Sequence, residues 1–502
     1  MKMPTSPTIL VLLLSLALGT NAGNAHDPKC ICCSALAKDP DLREKVLFPK
    51  SIPYLARLDS YYSANAAQEP WCMVLPTTTS DVSRVAVIIS KHQCPFGIRS
   101  GAHSAFKGSS GCAEGITVDL GYMNTTTYNK TNGIASIQPG SNWEMVFSSL
   151  AHHGVTAVGG RASVVGVGGF VTGGGYSFHT NSHGFACDSV ANFEVVLANG
   201  TITNANAKDN ADLWKALKGS SGNLGFVTRI DQYVVNSTDM WGGLVRYNLS
   251  QRDNVFNAYI DFADNMAKDL ASQNIVAMSW GSQGYGHSAI LSNIDAKEAP
   301  PAFDKYMAIP TSSSTLRLGA VAEIVPEFTG PTPLGLYANW IVGQFRNDFR
   351  MMDFIDKKLQ QYGTMMEEAA PKAKFDVLVQ LQPFTQSMVA HGLRKGGNVL
   401  GLEHVVADGP TTNWLIVLTT DTLETQKKIL PLALQYRKDI NAHAKKLGVY
   451  KEWTYLNYAW ADQDPIATYG DDNIAFLKLV AMKVDPDGVF QKRRKTGFKL
   501  PV

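Results

Sequence analysis

A histidine and a downstream glycine cluster have the residue types and spacing that could bind a cofactor. In IRSGAHS (98–104), His103 follows an arginine and small residues, whose backbone N–H groups could bind a phosphate while the imidazole reaches another part of the same ligand. Glycines are concentrated in GGRASVVGVGGFVTGGG (159–175), where a backbone without side chains could approach a pyrophosphate closely. Tight turns and close packing are the alternative explanation for this cluster.

The glycine cluster does not match the nicotinamide-dinucleotide fingerprint. The segment GVGGFV (166–171) has a valine where GxGxxG requires its third glycine. Glu194 lies near the distance expected for a ribose-binding acid, but the match is incomplete without that glycine. The sequence therefore excludes a Rossmann-type site.

Two further patterns argue against a metal and against nucleic acid. His179 and His183 have the spacing of zinc ligands on a helix, but HTNSH lacks the glutamate of HExxH and lies among turn residues, so no metal is predicted. The formal net charge is +2 and no lysine–arginine block is present, so nucleic acid is not an expected partner.

The first residues predict export from the cell. Lys2 precedes the apolar run ILVLLLSLAL (9–18) and the small residues TNAGNA (20–25), which is the pattern of a signal peptide over 1–25. Cleavage is expected after Ala22 or Ala25. No later stretch approaches the roughly 18 apolar residues that a membrane helix needs, so we predict a soluble, secreted, extracellular protein.

Cysteines and sequons agree with that compartment. Seven cysteines are present, and the cluster at 30–33 is expected to form disulfides with the body of the protein, with Cys72 and Cys94 as acceptors. A metal site is the weaker alternative, because no second CxxC or histidine pair accompanies the cluster. The odd count leaves at least one free thiol unless two chains are joined, and the connectivity stays open. Glycosylation is predicted at several of five sequons, Asn124, Asn129, Asn199, Asn236 and Asn248.

Periodicity predicts two units of mixed helix and strand. The first has a helix over 81–92, strands over 96–100 and 115–120, a helix capped by Ser141 and ended by Gly154, a hairpin over 193–205, a helix over 210–219 and a strand over 225–235. After about 236 the composition changes to longer amphipathic helices, 252–268, 349–369 and 422–446, with apolar strands between them. The fold class predicted is α+β.

Several segments together resemble a known flavoprotein family. CPFGIRSGAHS (94–104), GGRASVVGVGGFVTGGGYSF (159–178), HGFACDSVANFEVVLANG (183–200) and KGSSGNLGFVTR (218–229) resemble the flavin-binding half of the vanillyl-alcohol-oxidase-type FAD oxidoreductases. The tail from YLNYAW to DPDGVF (455–490) resembles the C-terminal segment of the berberine-bridge-enzyme-like members. The match covers roughly 70–235 and 451–495, is weak between them, and indicates a fungal-style secreted member.

The resemblance implies a two-domain vanillyl-alcohol-oxidase-type fold. An FAD-binding domain would span 26–235, with a PCMH-type core over about 68–235. A substrate-binding domain with an antiparallel sheet and helices would span 236–450, and the tail 451–502 would return to the FAD domain.

The resemblance also implies how FAD is held. In this family the histidine of an RSGGH motif is bonded to the 8α carbon of the flavin, and His103 occupies that position. Ala102 replaces the usual glycine, which costs about 1 kcal/mol or more if the backbone there is left-handed and nothing if it is extended. Some members add a cysteinyl link, but Ala162 stands at that position, so a single covalent bond is expected. Further FAD contacts are implied for Arg99, Ser100, Gly101, Ala102, Ser104, Gly160, Val165, Gly168, Gly169, Gly174, Gly175, Val227 and Asn457.

The catalytic candidates are tyrosines, namely Tyr455, Tyr176 and Tyr458. If YLNY is a strand, Tyr455 and Asn457 face the flavin and Tyr458 points the other way. A tyrosine base needs a cationic or hydrogen-bonding neighbour. Relatives place an acid or amide on a central strand, but NWLIVLTT (413–420) has neither at its middle, which leaves Glu403 and Gln382 as candidates.

The function implied is that of an FAD-dependent oxidase. Tyr455 would take a proton from a substrate hydroxyl while hydride passes from the adjacent carbon to the flavin, and O2 would then be reduced to hydrogen peroxide. Val165 matches a position where valine accompanies access of oxygen to the flavin.

An alcohol or carbohydrate is the first expected substrate, since tryptophans can stack on sugars and four lie in the second unit: Trp241, Trp280, Trp340 and Trp414. Oxidative cyclisation or desaturation of a secondary metabolite, and a flavin-loaded binding protein without a base, are the alternatives. A monomer is expected, with the small-molecule substrate and O2 as its partners.

Overall fold

The computed structural model describes residues 28–329 and 334–501, so the predicted signal peptide lies outside the described residues. The helices are α1 (Pro28–Lys38), α2 (Ile52–Asp59), α3 (Thr79–His92), α4 (Trp143–Ala151), α5 (Val167–Thr172), α6 (Thr180–His183), α7 (Ala211–Leu217), α8 (Arg252–Asn265), α9 (Asp304–Met307), α10 (Val321–Thr329), α11 (Phe349–Ala369), α12 (Gln386–Arg394), α13 (Leu402–Val405), α14 (Leu423–Lys446), α15 (Asp471–Val484) and α16 (Val489–Lys492). The strands are β1 (Val46–Leu47), β2 (Cys72–Val74), β3 (Phe96–Arg99), β4 (Ile116–Asp119), β5 (Thr126–Asn129), β6 (Ile134–Ile137), β7 (Thr156–Ala157), β8 (Val190–Val196), β9 (Ile202–Asn206), β10 (Phe226–Val235), β11 (Asp239–Tyr247), β12 (Ser272–Gly281), β13 (Gly286–Asn293), β14 (Thr311–Ser314), β15 (Arg317–Ala320), β16 (Tyr337–Arg346), β17 (Phe375–Phe384), β18 (Thr411–Thr420) and β19 (Tyr450–Lys451).

Side-chain caps fix where the early helices begin. The hydroxyl of Thr78 accepts from the N–H of Asp81, and the Asp81 carboxylate accepts from the N–H of Thr78, so α3 starts two residues before the predicted position. Asn142, not Ser141, caps α4, because the Asn142 side chain accepts from the N–H of Met145 at 2.9 Å. The prediction for Ser141 was wrong by one residue.

The first sheet has the order β1-β2-β4-β3, and β2 and β3 both pair parallel with β4. Two disulfides join α1 to this sheet region, Cys32–Cys94 and Cys33–Cys72. The predicted pairing of the N-terminal cluster with Cys72 and Cys94 is therefore confirmed.

The second sheet is antiparallel, in the order β5-β6-β10-β8-β9. The predicted hairpin is formed by β8 and β9, and its turn has Gly200 at a φ of +84°. All five sequon asparagines are exposed on the described surface, as glycosylation would require.

The third sheet is built from the chain between Asp239 and Lys451. Its strand order is β14-β11-β13-β12-β17-β18-β16-β19, with β15 beside β11, and its pairs are antiparallel. Helices α8, α11 and α14 pack against it, close to their predicted positions, although α8 ends at Asn265 and a 3₁₀ turn follows. Because side chains alternate along a strand, Leu378, Gln380 and Gln382 of β17 share one face of this sheet. The α+β fold is confirmed.

The tail beyond Lys451 returns to the first sheet. The N–H of Phe96 donates to the carbonyl of Arg493 at 3.0 Å, and the N–H of Lys495 donates to the carbonyl of Phe96 at 2.7 Å. Within the described ranges, no helix has the length and apolarity needed to cross a membrane.

Candidate active site

A cavity of about 380 Å3 lies between the glycine cluster and the third sheet. Its walls combine loops of the first unit with side chains of β12, β13, β17 and β18. The residues predicted at the site that line it are Ser100, Gly101, Ala102, His103, Ser104, Gly160, Val165, Gly168, Gly169, Tyr176, Val227, Asn457 and Tyr458. Ala162, expected at the position of a second flavin link, also lines it.

The loop of His103 and the glycine cluster meet at two glycines. A Cβ on Gly101 would lie 2.3 Å from the Cα of Gly166, and a Cβ on Gly166 would lie 2.4 Å from the Cα of Gly101. Only glycine at both positions allows the two backbones to come this close. Tight packing therefore explains part of the glycine cluster.

Ala102 has a left-handed backbone, with a φ of +54°. The favourable case of an extended backbone is not realised, because the chain must turn here to bring His103 into the cavity. The conformation costs about 1 kcal/mol relative to glycine. The Ala102 methyl group is 5% exposed and packs in an apolar cluster with Tyr54, Tyr61 and Met73, which offsets part of that cost.

The imidazole of His103 lies between two aromatic rings. The Tyr62 ring stacks on it with centroids 3.9 Å apart and an interplanar angle of 15°, and Trp340 meets it edge-on at 5.6 Å. The indole N–H of Trp340 donates to the Tyr62 hydroxyl at 3.3 Å. Burial lowers the pKa of His103 to about 4, so the imidazole is neutral at pH 7, as a nitrogen nucleophile must be.

Arg99 does not line the cavity, contrary to the prediction. Its guanidinium lies 3.4 Å from the Asp119 carboxylate, donates to the Ser60 hydroxyl at 2.6 Å and stacks on the Tyr61 ring at 4.0 Å. These partners lie behind the strand that ends at Arg99. The side chain therefore supports the His103 loop, and its one unpaired nitrogen, Nε, is buried on a residue that does not line the cavity.

Gly174 and Gly175 also lie off the cavity. They have φ angles of +110° and +86°, and a Cβ on them would meet Leu400 and Phe170 respectively. They serve a turn that brings their chain neighbour Tyr176 to the cavity wall.

The YLNY segment is a 3₁₀ turn over Leu456–Tyr458, which reverses the predicted orientation of its tyrosines. The Tyr455 hydroxyl accepts from the N–H groups of Gly175 and Tyr176 at 3.1 and 2.9 Å, and Tyr455 does not line the cavity. Burial raises the pKa of Tyr455, so it is poorly suited to act as a base. Tyr458, predicted to point away, is the tyrosine that faces the cavity.

Tyr458 forms a hydrogen-bonded group with Arg161 and Gln382. The Arg161 guanidinium donates to the Tyr458 hydroxyl at 3.0 Å and to the side-chain oxygen of Gln382. Gln382 lies on β17, the strand beside the one searched for an acid or amide, and it contacts Arg161 and Tyr458 without itself lining the cavity. Glu403 lies on α13 and does not line the cavity. Arg161 was not predicted from the sequence, although it stands next to Ala162 in the glycine cluster.

Tyr176 supports this group from behind. Its ring lies 3.9 Å from the Arg161 guanidinium carbon, and its hydroxyl lies within hydrogen-bond distance of the Pro383 carbonyl and the Gln273 side chain. Burial raises the pKa of Tyr176 as well. The geometry makes it a packing partner of Arg161.

Asn457 links the tail to the glycine cluster. Its side-chain amide donates to the Phe170 carbonyl at 3.0 Å and to the Tyr455 hydroxyl at 3.1 Å. The residue lines the cavity, as predicted for a flavin contact.

Unpaired polar groups and open backbone show that the cavity suits FAD. A Cβ on Gly169 would meet nothing within 4 Å, so the backbone there is bare toward the cavity. At the end near Thr496, the Ser110 hydroxyl and the Nε of Arg494 are buried without a partner. No carboxylate among the described residues pairs with Arg494, so a diphosphate would supply its missing countercharge. Ser110 and Arg494 would hold that part of FAD, and His103 would lie at the flavin.

A glycine-lined cavity between a two-sheet unit and an antiparallel sheet agrees with the FAD-binding fold that the sequence resembles. The family model described as "FAD binding domain" matches residues 70–206. The chain is 34% identical over 478 residues to the FAD-dependent monooxygenase sdcF of Emericella nidulans, across 94% of this chain and 98% of the relative. It therefore belongs to the family of FAD-dependent oxidoreductases that includes this relative.

Solved structures show the same fold. The 6-hydroxy-D-nicotine oxidase of Arthrobacter nicotinovorans has a TM-score of 0.74 at 18% identity, covering 89% of this chain and 96% of that one. The glucooligosaccharide oxidase of Acremonium strictum, with its 6-S-cysteinyl, 8α-N1-histidyl FAD, has a TM-score of 0.72 at 16% identity, covering 94% and 100%. At these identities the likeness concerns the fold alone.

Proposed function

We propose that this protein is an FAD-dependent oxidase that oxidises an apolar small molecule, with Tyr458 as the base. The observation that carries the proposal is the Tyr458 hydroxyl, which lines the cavity and accepts from the Arg161 guanidinium at 3.0 Å. The guanidinium places a positive charge beside the phenolic oxygen. The Tyr455 hydroxyl accepts from backbone N–H groups and from the Asn457 amide, has no hydrogen bond to an arginine, and does not line the cavity.

FAD, when bound, would supply the acceptor for hydride from the substrate carbon and pass the electrons to O2. Tyr458, acting in its phenolate form beside Arg161, takes the proton of the substrate hydroxyl and becomes a neutral phenol, and the negative charge leaves the substrate with the hydride. Gln382 keeps the guanidinium in place through its side-chain oxygen. Val165 lines the cavity with a small side chain, which supports access of oxygen.

The covalent link proposed for FAD runs through His103 alone. The neutral, stacked imidazole lies at the cavity wall, and Ala162 offers no thiol for a second link. The flavin of the Acremonium strictum oxidase has both a histidyl and a cysteinyl link. Among the described residues that line the cavity there is no cysteine, which supports a histidyl link alone.

The lining favours a secondary metabolite over a carbohydrate. Of the four tryptophans proposed to stack on sugars, only Trp340 lines the cavity. Trp241 and Trp414 are buried elsewhere, and Trp280 donates to Glu367 at 3.0 Å. The wall of the third sheet presents mostly aliphatic side chains, with the amide of Gln380 among them, and this lining suits an aromatic or alicyclic substrate.

Monooxygenation is the second candidate function. It is favoured by the name of the 34% identical relative in Emericella nidulans, an FAD-dependent monooxygenase. The two candidate functions differ in which product contains the oxygen atoms of O2 after the reaction. An oxidase releases them as hydrogen peroxide, and a monooxygenase places one in the product.

The two disulfides support export of this chain. Cys32–Cys94 and Cys33–Cys72 form readily only in an oxidising compartment. We therefore propose that the protein acts outside the cell or in the secretory pathway.

A substrate panel under anaerobic and aerobic conditions tests the proposed function. Phenolic, polycyclic and benzylic alcohols are compared with oligosaccharides for bleaching of the flavin without oxygen. For each compound that bleaches it, peroxide is measured and the product is analysed after turnover in isotope-labelled O2. We expect apolar alcohols to bleach the flavin and to release one peroxide per substrate. Label in the product identifies a monooxygenase, and a flavin that no compound bleaches contradicts both functions.

A further inference from the structure

The part of the cavity near the third sheet is a mostly apolar chamber with a single charged group. Its walls are the aliphatic and aromatic side chains of Ile275, Ile290, Phe328, Leu378, Leu415 and Val417, and the neutral amide of Gln380 also lines it. Of the two arginines that line the cavity, Arg494 lies at the opposite end, beside Thr496. Arg161 is therefore the one permanent charge in this chamber, as far as the described residues show.

Arg161 is buried without a carboxylate. It is 8% exposed, and its Nη2 donates only to neutral acceptors, the Gln382 side chain and the Tyr458 hydroxyl. Its Nη1 has no hydrogen-bond partner among the described residues. The guanidinium packs on the Tyr176 ring at 3.9 Å, a contact that attracts a cation but does not neutralise it.

Buried arginine side chains away from the cavity are paired with acids. Arg99 lies 3.4 Å from Asp119, and the half-buried Arg252 lies 2.6 Å from Asp356. A buried cation without an anion is strongly unfavourable, so such a cation is expected to gain its counterion from a ligand. Among the fully buried arginines of the described chain, the two that lack an acid are the two that line the cavity.

We propose that Arg161 binds an anionic oxygen group of the substrate, a carboxylate or an ionised phenol or enol. The substrate is then an acidic molecule with an apolar body, which the aliphatic walls bury while Arg161 fixes the acidic end beside Tyr458. This inference rests on the proposed function, because it places the substrate in the same chamber. It adds the chemical class of the substrate that the chamber would bind.

Matched ligands test the proposal on the flavin-loaded protein. Naphthoate, naphthol and naphthylmethanol have the same ring system and differ in their oxygen group. Their dissociation constants are measured from the change in flavin absorbance, without turnover. We expect naphthoate to bind at least about 10-fold more tightly than naphthylmethanol, the ratio expected for one charge-assisted hydrogen bond. The dissociation constant of naphthol is compared with these two values as a function of pH. This comparison distinguishes recognition of a carboxylate from recognition of a phenolate.

Variants identify the group responsible. Arg161→Gln should remove the preference for naphthoate and change the affinity for naphthylmethanol by less than about 3-fold, whereas Arg161→Lys should keep part of the preference. Arg317→Gln, which changes an exposed arginine paired with Glu327, is the matched control and should bind like the wild type.

Three results would overturn the proposal. The first is equal binding of naphthoate and naphthylmethanol by the wild type, which needs no variant and is therefore independent of folding. The second is a preference for naphthoate that survives in Arg161→Gln. The third is a change in the flavin spectrum of Arg161→Gln without a change in ligand preference, which would assign Arg161 to the cofactor. Selective binding of naphthoate without bleaching by any substrate would leave this inference standing and contradict the proposed function.

Discussion

The phenol ring of Tyr62 lies parallel to the imidazole of His103, with ring centroids 3.9 Å apart and an angle of 15° between the planes. Tyr62 precedes the FAD-binding motifs in the chain and belongs to a segment that also contacts the third sheet. The Ser63 hydroxyl donates to the Ala338 carbonyl at 3.0 Å. The stack therefore connects the His103 loop, proposed to hold FAD, with a segment that is hydrogen-bonded to the third sheet.

Removing the stack should slow attachment of FAD. Tyr62→Ala takes away a contact of about 1 kcal/mol and frees the imidazole to rotate, so we expect covalent incorporation to slow by about 5-fold. Tyr62→Phe keeps the ring and loses only the hydroxyl, so it should incorporate FAD at nearly the wild-type rate. In-gel flavin fluorescence against time measures both. Equal rates for Tyr62→Ala and the wild type would show that the stack has no part in attachment.

Substitutions at Gly101 and Gly169 should distinguish a glycine needed for backbone packing from one needed to leave room for FAD. Gly101→Ala puts a Cβ 2.3 Å from the Cα of Gly166, so we expect it to cost about 3 kcal/mol in the free energy of unfolding. Gly169 lies within α5 with nothing near its missing Cβ, so Gly169→Ala should leave stability unchanged or raise it by about 1 kcal/mol. Gly169→Ala should nevertheless lower the ratio of FAD to protein. A full complement of FAD in Gly169→Ala would contradict the placement of FAD against this backbone.

Substitutions of the two tyrosines of the YLNY segment should affect different properties, flavin reduction for Tyr458 and stability for Tyr455. Tyr458→Phe removes the proposed base and keeps the ring against Trp340, so flavin reduction should slow by about 100-fold or more with FAD content unchanged. Tyr455→Phe removes the acceptor of two backbone N–H groups and should cost about 1–3 kcal/mol of stability with a smaller effect on reduction. Anaerobic stopped-flow bleaching and denaturant unfolding give the two quantities. A slower reduction in Tyr455→Phe than in Tyr458→Phe would return the base to Tyr455.

A buried histidine should make the fold sensitive to acid. Burial lowers the pKa of His179 to about 3, below the value of about 6.5 in an unfolded chain, so the unfolded state binds more protons between these values. Stability should therefore fall as the pH decreases below about 6.5, by about 1.4 kcal/mol per pH unit from this residue. His179→Gln should reduce the slope of unfolding free energy against pH by that amount. The exposed His152→Gln serves as the control, and an unchanged slope in His179→Gln would contradict burial of a neutral imidazole.

Local motifs were sufficient to predict which loops line the cavity. His103 and the glycine cluster were placed there because the segments that contain them resemble the motifs of a known family, and each motif is contiguous in sequence. The disulfide acceptors Cys72 and Cys94 were predicted because few cysteines are available. Helices α11 and α14 followed from their apolar periodicity.

The active-site side chains were harder to predict because they come together only in the tertiary structure. Arg161, Tyr62 and Gln382 belong to three segments far apart in the chain, so no spacing reveals that they converge. The reversal of Tyr455 and Tyr458 has a simpler cause. A strand places residues two apart on one side, whereas the observed 3₁₀ turn has three residues per turn and gives each tyrosine a different environment.

Mass spectrometry of the flavin-bearing peptide tests the central proposal most directly. The purified protein is denatured in acid, freed of unbound flavin and digested, and the peptide that contains His103 is sequenced. We predict one FAD on His103, none on Cys112 or Cys187, and loss of the adduct in His103→Ala. An unmodified His103 peptide, with all the flavin released into the supernatant, would contradict the proposed link.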